Sequence, residues 1–228
     1  MRHRTRLGSR TIAIGDIHGC SQAFAALLRA LAPTSDDLLV VLGDYIDRGP
    51  DSCGVVEMLI DLERRCRLVS LMGNHEELFL DVRARRFPMH WWTSMGGTAT
   101  LRSYGAGLDL SQIPESHIRW MENGLDYVET PTHIFVHANY DPNLPMPEQP
   151  VATMRWNSLR ETIPGRHLSG KTVIVGHTAQ EGGEILDLGH IKCIDTWCYG
   201  GGWLTALDVD TSEVWQASRD GELRHERP

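Results

Sequence analysis

The sequence predicts an α/β domain with a mixed, two-sheet core, and three observations lead there. In the first half, short apolar runs alternate with amphipathic stretches. In the second half, apolar runs follow one another with only turn residues between them. No Pro/Gly/Ser-rich linker separates the halves, so residues 1–228 are expected to form one domain.

Thr11-Ile12-Ala13-Ile14 is the first expected strand. Behind it, Cys20 to Leu31 has helical apolar spacing and stops before Pro33. Leu38 to Leu42 is the second strand, and Asp51-Ser52 can cap a helix running to about Arg65. Arg67 to Met72 is the third, followed by a helix from Glu76 to Arg86 that Pro88 stops. This β-α alternation implies a parallel core. Met89 to Gly124 reads as short helices broken at Gly96-Gly97, Gly105 and Gly107, with Trp91, Trp92 and Trp120 as core or lid aromatics. Thr132 to Val136 and Lys171 to Val175 are further strands, separated by a loop over 138–150 dense in Pro and Asn. Gly183 to Leu188, His190 to Asp195, Trp203 to Val209 and Glu213 to Gln216 read as short antiparallel strands.

Composition narrows the function classes. Hydrophobic residues make up 41% and charged residues 23%, ordinary for a globular protein. No apolar run approaches the ~20 residues of a membrane helix, so no membrane association is expected. Met1 to Arg10 is basic, lacks a signal peptide's apolar centre, and reads as a frayed terminus. A net charge of −8 argues against general nucleic-acid binding. Five cysteines without a Cys-x-x-Cys pair point to free thiols and a cytoplasmic location.

The first three strands each end in a polar run: Gly15-Asp16-Ile17-His18-Gly19, Gly43-Asp44-Tyr45-Ile46-Asp47-Arg48-Gly49 and Gly73-Asn74-His75-Glu76. Strand ends are where α/β proteins place their chemistry. Carboxylate, amide and imidazole donors gathered there suit a metal centre that cleaves phosphate esters. Asp16 and His18, two apart, can turn toward one cation. The two oxygens of Asp44 can bridge a pair. Glu76 and Glu77 fall in a first helical turn, where a carboxylate supports the helix rather than binding metal.

These three blocks, followed by His137 and Gly176-His177, resemble the phosphoprotein phosphatase branch of the calcineurin-like metallophosphoesterases. The compact bacterial and phage serine/threonine phosphatases are the most similar, and the motifs span positions 15 to 177. The resemblance implies two mixed β-sheets in a sandwich flanked by helices. It implies that Asp16, His18 and Asp44 hold one divalent cation, and that Asp44, Asn74, His137 and His177 hold a second. Manganese is the metal it favours, with iron, zinc and magnesium open. His75 becomes the general acid and Asp47 its orienting carboxylate. Arg48 can fork onto phosphate oxygens, and a second arginine is expected between His137 and His177. Arg155 is preferred to Arg160 and Arg166, although members often carry Trp-x-Arg and this chain has Ser158 at that offset.

The expected activity is hydrolysis of phosphoserine and phosphothreonine in proteins, with phosphotyrosine open, by direct attack of a metal-bridging hydroxide on a monomeric enzyme. The alternative is cleavage of diadenosine polyphosphates or other nucleotide phosphates at the same centre. A phosphopeptide-binding module without catalysis is disfavoured, because no motif position is missing. Tyr199, beside Gly200-Gly201-Gly202, belongs either to the pocket mouth or to a tight hairpin.

Overall fold

The structure is a computed structural model that describes residues 9–227. Most of the basic segment read as a frayed terminus, residues 1–8, lies outside the described residues. Arg10 does not fray. Its Nη2 donates to Asp37 Oδ2 at 2.6 Å and to the Leu31 carbonyl at 3.1 Å, tying the chain down one residue before the first strand.

Strands β1 (Thr11–Ile14), β2 (Leu38–Val41) and β3 (Arg67–Ser70) pair in parallel. Antiparallel strands β9 (Trp203–Asp208), β10 (Glu213–Ser218) and β11 (Leu223–Glu226) extend this sheet from β1, giving the order β11-β10-β9-β1-β2-β3. The second sheet holds β4 (Tyr127–Glu129), β5 (His133–Val136), β6 (Thr172–Val175), β7 (Leu186–Asp187) and β8 (Ile191–Cys193) in the order β4-β5-β6-β8-β7. In it β5, β6 and β8 are parallel, with antiparallel strands at both edges.

The period-two alternation of strand side chains explains the layering. Ala13, Val40, Leu42, Phe135, Ile174 and Leu207 point inward and form a core shared by the two sheets. Their strand neighbours Ile12, Ile14, Leu39 and Val41 face the opposite way, into the cluster under α1 (Ser21–Leu31) and α2 (Ser52–Glu63). Ile134, Val136, Val173 and Val175 do the same beneath the 138–159 segment. Central strands buried on both faces need continuous apolar runs, which is what the sequence supplies. Truncating Phe135, fully buried between the sheets, to alanine is expected to cost about 3–5 kcal/mol.

The remaining helices are α3 (Asn74–Arg83), α4 (Met89–Trp92), α5 (Thr98–Ser103), α6 (Glu115–Glu122) and α7 (Val151–Trp156), with a π-turn over Thr93–Gly97. Several features differ from the sequence reading. The His190–Asp195 segment, expected as an antiparallel strand, supplies β8, which pairs in parallel with β6 and is antiparallel only to the edge strand β7. Helix α3 begins at Asn74, so Asn74 and His75 open the helix instead of preceding it. The backbone N–H of Gly73 donates to Glu76 at 3.1 Å, and this cap sets the earlier start. Helix α7 and the edge strands β4 and β11 were not legible, because each is only three to six residues long, too short to show an apolar period.

Candidate metal centre

The loops after β1, β2, β3, β5 and β6 converge. The backbone N–H of His18 donates to the Asp44 carbonyl at 2.8 Å, and Gly176 N–H to the His137 carbonyl at 2.8 Å. Nine non-glycine residues among those described have positive φ, and five of them are His18, Asp44, Asp47, Arg48 and His177. Backbone strain is therefore concentrated where the chemistry-bearing side chains are aimed inward. Close approach does the rest. A Cβ on Gly73 would lie 2.1 Å from Asp44 Oδ1, and one on Gly176 would lie 2.1 Å from Asp16 Oδ1.

The imidazoles identify the site's chemistry. His18 Nδ1–H donates to the Ile46 carbonyl at 2.9 Å, His137 Nδ1–H to Leu42 at 2.7 Å, and His177 Nε2–H to Trp156 at 3.0 Å. Each carbonyl fixes the tautomer and leaves the other ring nitrogen with a bare lone pair. Burial keeps the rings neutral: it pushes His18 and His137 below the usual histidine value and His177 down to about 4.

The His137 and His177 lone pairs face acceptors, while that of His18 meets both an Asp44 oxygen and a donor, Arg48 Nη1 at 3.1 Å. His137 Nε2 and His177 Nδ1 lie 3.1 and 2.9 Å from Asn74 Oδ1, and His137 Nε2 is 3.5 Å from Asp44 Oδ1. His18 Nε2 is 3.5 Å from the other Asp44 oxygen. Acceptor set against acceptor in a buried place is repulsive unless a cation lies between them. The donor set of neutral imidazole, carboxylate and amide oxygen fits a divalent transition metal. Burial opposes the charge on Asp44, but the surrounding imidazoles pull this carboxyl below its usual range wherever they carry a proton, and His75 is the one whose own value is raised. Asp44, with an imidazole near each oxygen, is placed to bridge. Asp16 accepts the His177 N–H at 3.0 and 3.2 Å, which ties its carboxylate to the end of β6. It is not among the two close groups, His18 with Asp44 and His75, and Asp44 with His137 and His177, whose ligand atoms lie within 4.8 Å of one another.

His75 lies close to His18 and Asp44, its Nε2 3.9 Å from Asp44 Oδ2, but its other nitrogen pairs differently. Its Nδ1 is 2.7 Å from Asp47 Oδ2, while its Nε2 is buried with no partner. Burial works against the charged ring, yet Asp44 and the hydrogen-bonded Asp47 prevail and raise His75 above the usual histidine value. Asp47 is itself held by Trp92 Nε1 at 2.8 Å and Thr100 Oγ1 at 2.6 Å. Sequence reasoning missed both donors. They lie in the helical segment after α3, and no local pattern marks them.

Arg48 Nη1 reaches His18 Nε2 at 3.1 Å, and its guanidinium lies 4.6 Å from the Tyr199 ring centre. Tyr199 also packs edge-on to His18 at 5.0 Å. The Tyr199 loop therefore borders the site. It is a tight turn as well, since Gly202 N–H donates to the Trp197 carbonyl at 2.9 Å. Arg155 is bound by two carboxylates, Glu77 at 2.7 Å and Asp126 at 2.5 Å. Arg160 instead donates to the Ala179 carbonyl and Arg166 to that of Gly170, both from exposed positions.

Glu76 is the site's backbone anchor. It accepts N–H groups from Asp44, Tyr45 and Ile46 at 2.8, 2.8 and 3.2 Å, besides Gly73. Asp195, just past β8, was also missed. Burial, reinforced by Asp44, pushes its carboxyl up to about 6. Its signal was the one shared by His137 and His177, a polar residue directly after an apolar strand.

Two mixed sheets with buried imidazole, carboxylate and amide groups gathered at their strand ends suit a metal-dependent phosphoesterase. The calcineurin-like phosphoesterase family pattern matches residues 9–209, and the chain belongs to this family. It is 30% identical over 214 residues to serine/threonine-protein phosphatase 1 of Salmonella typhimurium, covering 86% of this chain and 90% of that one. It is 45% identical over 64 residues to the symmetrical bis(5'-nucleosyl)-tetraphosphatase of Acidovorax sp., 28% of this chain and 22% of that protein. Among solved structures, a diadenosine tetraphosphatase so described provisionally superposes with a TM-score of 0.69 at 22% identity, covering 93% and 94% of the two chains. A cold-active protein tyrosine phosphatase superposes with a TM-score of 0.66 at 15% identity, covering 96% and 78%. These two likenesses concern the fold.

Proposed function

We propose that the chain is a protein phosphatase that removes phosphate from phosphoserine and phosphothreonine, and that it works as a cytoplasmic monomer with two manganese ions. The observation that carries this reading is the His75–Asp47 pair, with a buried, unpartnered Nε2 beside Asp44. An alkyl phosphate expels a poor alkoxide, and such a leaving group needs a proton donor.

Asp16, His18 and Asp44 would hold one cation, and Asp44, Asn74, His137 and His177 the other. Two such cations supply charge neutralisation and an acidified water. The protein's own groups do the remaining work. Arg48 binds phosphate oxygens, steadied against Tyr199. Arg155 is the second arm, oriented in advance by Glu77 and Asp126. His75 delivers a proton from Nε2 to the departing oxygen while Asp47 holds Nδ1–H and stabilises the charged ring.

The protein reading is supported by the extent of the Salmonella match, which spans 90% of that phosphatase. The nucleotide reading is supported by the Acidovorax match and by Trp156, an exposed indole whose carbonyl holds His177 and whose ring could stack a base. A substrate panel with added Mn2+ separates them: phosphoserine, phosphothreonine and phosphotyrosine peptides, diadenosine tetraphosphate and p-nitrophenyl phosphate. The highest kcat/KM is expected on a phosphoserine or phosphothreonine peptide. A higher value on diadenosine tetraphosphate overturns the proposal.

A further inference from the structure

Among the described residues, two buried side-chain polar atoms lack a hydrogen-bond partner: Nε2 of His75 and Oδ2 of Asp195. Proton donation accounts for the first. Nothing in the mechanism uses the second, and a carboxylate oxygen sealed from water with nothing to accept is strongly disfavoured.

Asp195 is 1% exposed and rigidly held. Its Oδ1 accepts the Trp197 N–H at 3.0 Å, and its carbonyl accepts Gln180 N–H at 2.8 Å. It stands beside Asp16. Gly15 lies so close to the neighbouring Ile194 that a Cβ on Gly15 would come 2.4 Å from the Ile194 carbonyl oxygen. After burial itself, the charge of Asp195 is the strongest influence on Asp16, ahead of Asp44. Asp16 and Asp195 are both buried, Asp195 follows the residue whose carbonyl abuts Gly15, and Arg48 is a nearby positive charge. A buried carboxylate oxygen without a partner in that setting asks for a hydrogen-bond donor.

We infer that Asp195 is an outer-sphere ligand of the cation held by Asp16 and His18: its free oxygen accepts a hydrogen bond from a water on that hydrated divalent ion. The negative charge adds to the affinity at that position. This rests on the metal-dependent reading of the centre and is independent of which phosphate ester is the substrate.

Asp195→Asn separates this role from a structural one. The amide oxygen can keep the Trp197 N–H, while the amide NH2, a donor, replaces the free acceptor. The metal-free chain is titrated calorimetrically with Mn2+, and Asp16→Asn identifies the step belonging to the Asp16 cation. Asp195→Asn is expected to weaken that step by roughly 10–100-fold, as loss of an outer-shell partner does, and to leave the other step unchanged. The metal-free variant should melt no lower than the native chain, because a buried charge has gone, and its gain in Tm on adding Mn2+ should shrink. An unchanged step overturns the inference alone. Equal weakening of both steps with a lower metal-free Tm also overturns it, marking Asp195 as structural. A native chain that binds no Mn2+ overturns this inference together with the metal-dependent reading of the centre.

Discussion

The centre has two halves of different construction. Asp16, His18, Asp44, Asp47 and Arg48 come from the loops after β1 and β2, and Asn74 and His75 from the first turn of α3 behind β3, the three strands being adjacent and parallel in one sheet. They arrive in blocks and bring most of the strain: four of the five positive-φ site residues are His18, Asp44, Asp47 and Arg48. His137, His177 and Asp195 come singly, after β5, β6 and β8 of the other sheet. One half is a set of shaped loops. The other is a row of strand ends. Where a loop must aim several groups at once, local sequence becomes distinctive. Where pairing between strands does the aiming, one residue per strand suffices.

If the halves meet through one carboxylate, Asp44→Ala should have the largest effect. Both Mn2+ ions should be lost by elemental analysis, and activity should fall by more than it does for any variant below. A variant that retains one ion in full would show that the halves bind independently.

The next effect belongs to the loop half alone. His75→Asn should keep both metals and slow an alkyl phosphate by about 10²–10⁴-fold. An activated aryl phosphate should suffer less, since its leaving group needs less protonation. Equal losses would remove His75 from the acid role.

The arginines compare the halves directly. Charge-assisted bonds to phosphate are worth about 1.5–3 kcal/mol, so Arg48→Ala should lower kcat/KM by roughly 10–100-fold. Lysine there should rescue only in part, because the planar fork is lost. Arg155→Ala should cost a similar factor if it is the second arm. A fall in Tm with normal kinetics would instead make Arg155 a strut joining α7 to Glu77 and Asp126. A neutral Arg155→Ala beside a crippled Arg160→Ala would move the arm to Arg160.

The smallest effect lies outside both halves and calibrates them. Asp37 is partly opposed by burial, but Arg10 and the Thr34 and Arg10 N–H groups hold its carboxyl well below the usual range. A depressed folded-state value stabilises the protein above the unfolded value of about 3.9 and is lost as pH falls through the folded value. Asp37→Asn should therefore lower Tm at pH 7, and the gap to the native chain should close below about pH 4. A gap that persists in acid would mean that packing, not charge, holds Arg10.

The unequal halves also explain what the sequence could reveal. The β1, β2 and β3 boundaries and the loops after them were legible because apolar runs end abruptly in Gly-Asp or Gly-Asn. The sandwich of two sheets flanked by helices was implied by the family resemblance, and the structure shows it in strands buried on both faces. Asp195 escaped notice because a lone carboxylate after Cys193-Ile194 reads equally well as an ordinary turn residue. Trp92 and Thr100 escaped because their target, Asp47, is 45 and 53 residues away and the contact depends on how a broken helix folds back. The anchoring role of Glu76 was hidden behind the ordinary one of an acidic residue in a first helical turn. For Arg155, the sequence could name the residue, but only the structure shows its tie to Glu77 and Asp126.

The His177 N–H reaches Asp16 across 161 positions of chain. A growing polypeptide emerges from the ribosome N-terminus first, at about 5–20 residues per second. Asp16, His18 and Asp44 are therefore exposed for roughly ten to thirty seconds before β6 can bring His177 to them. During synthesis the nascent chain thus carries the Asp16, His18 and Asp44 side chains well before it carries His137 and His177. The second group of ligands, and the His177 N–H that holds Asp16, come only with β5 and β6, so the complete centre requires a chain made through β6.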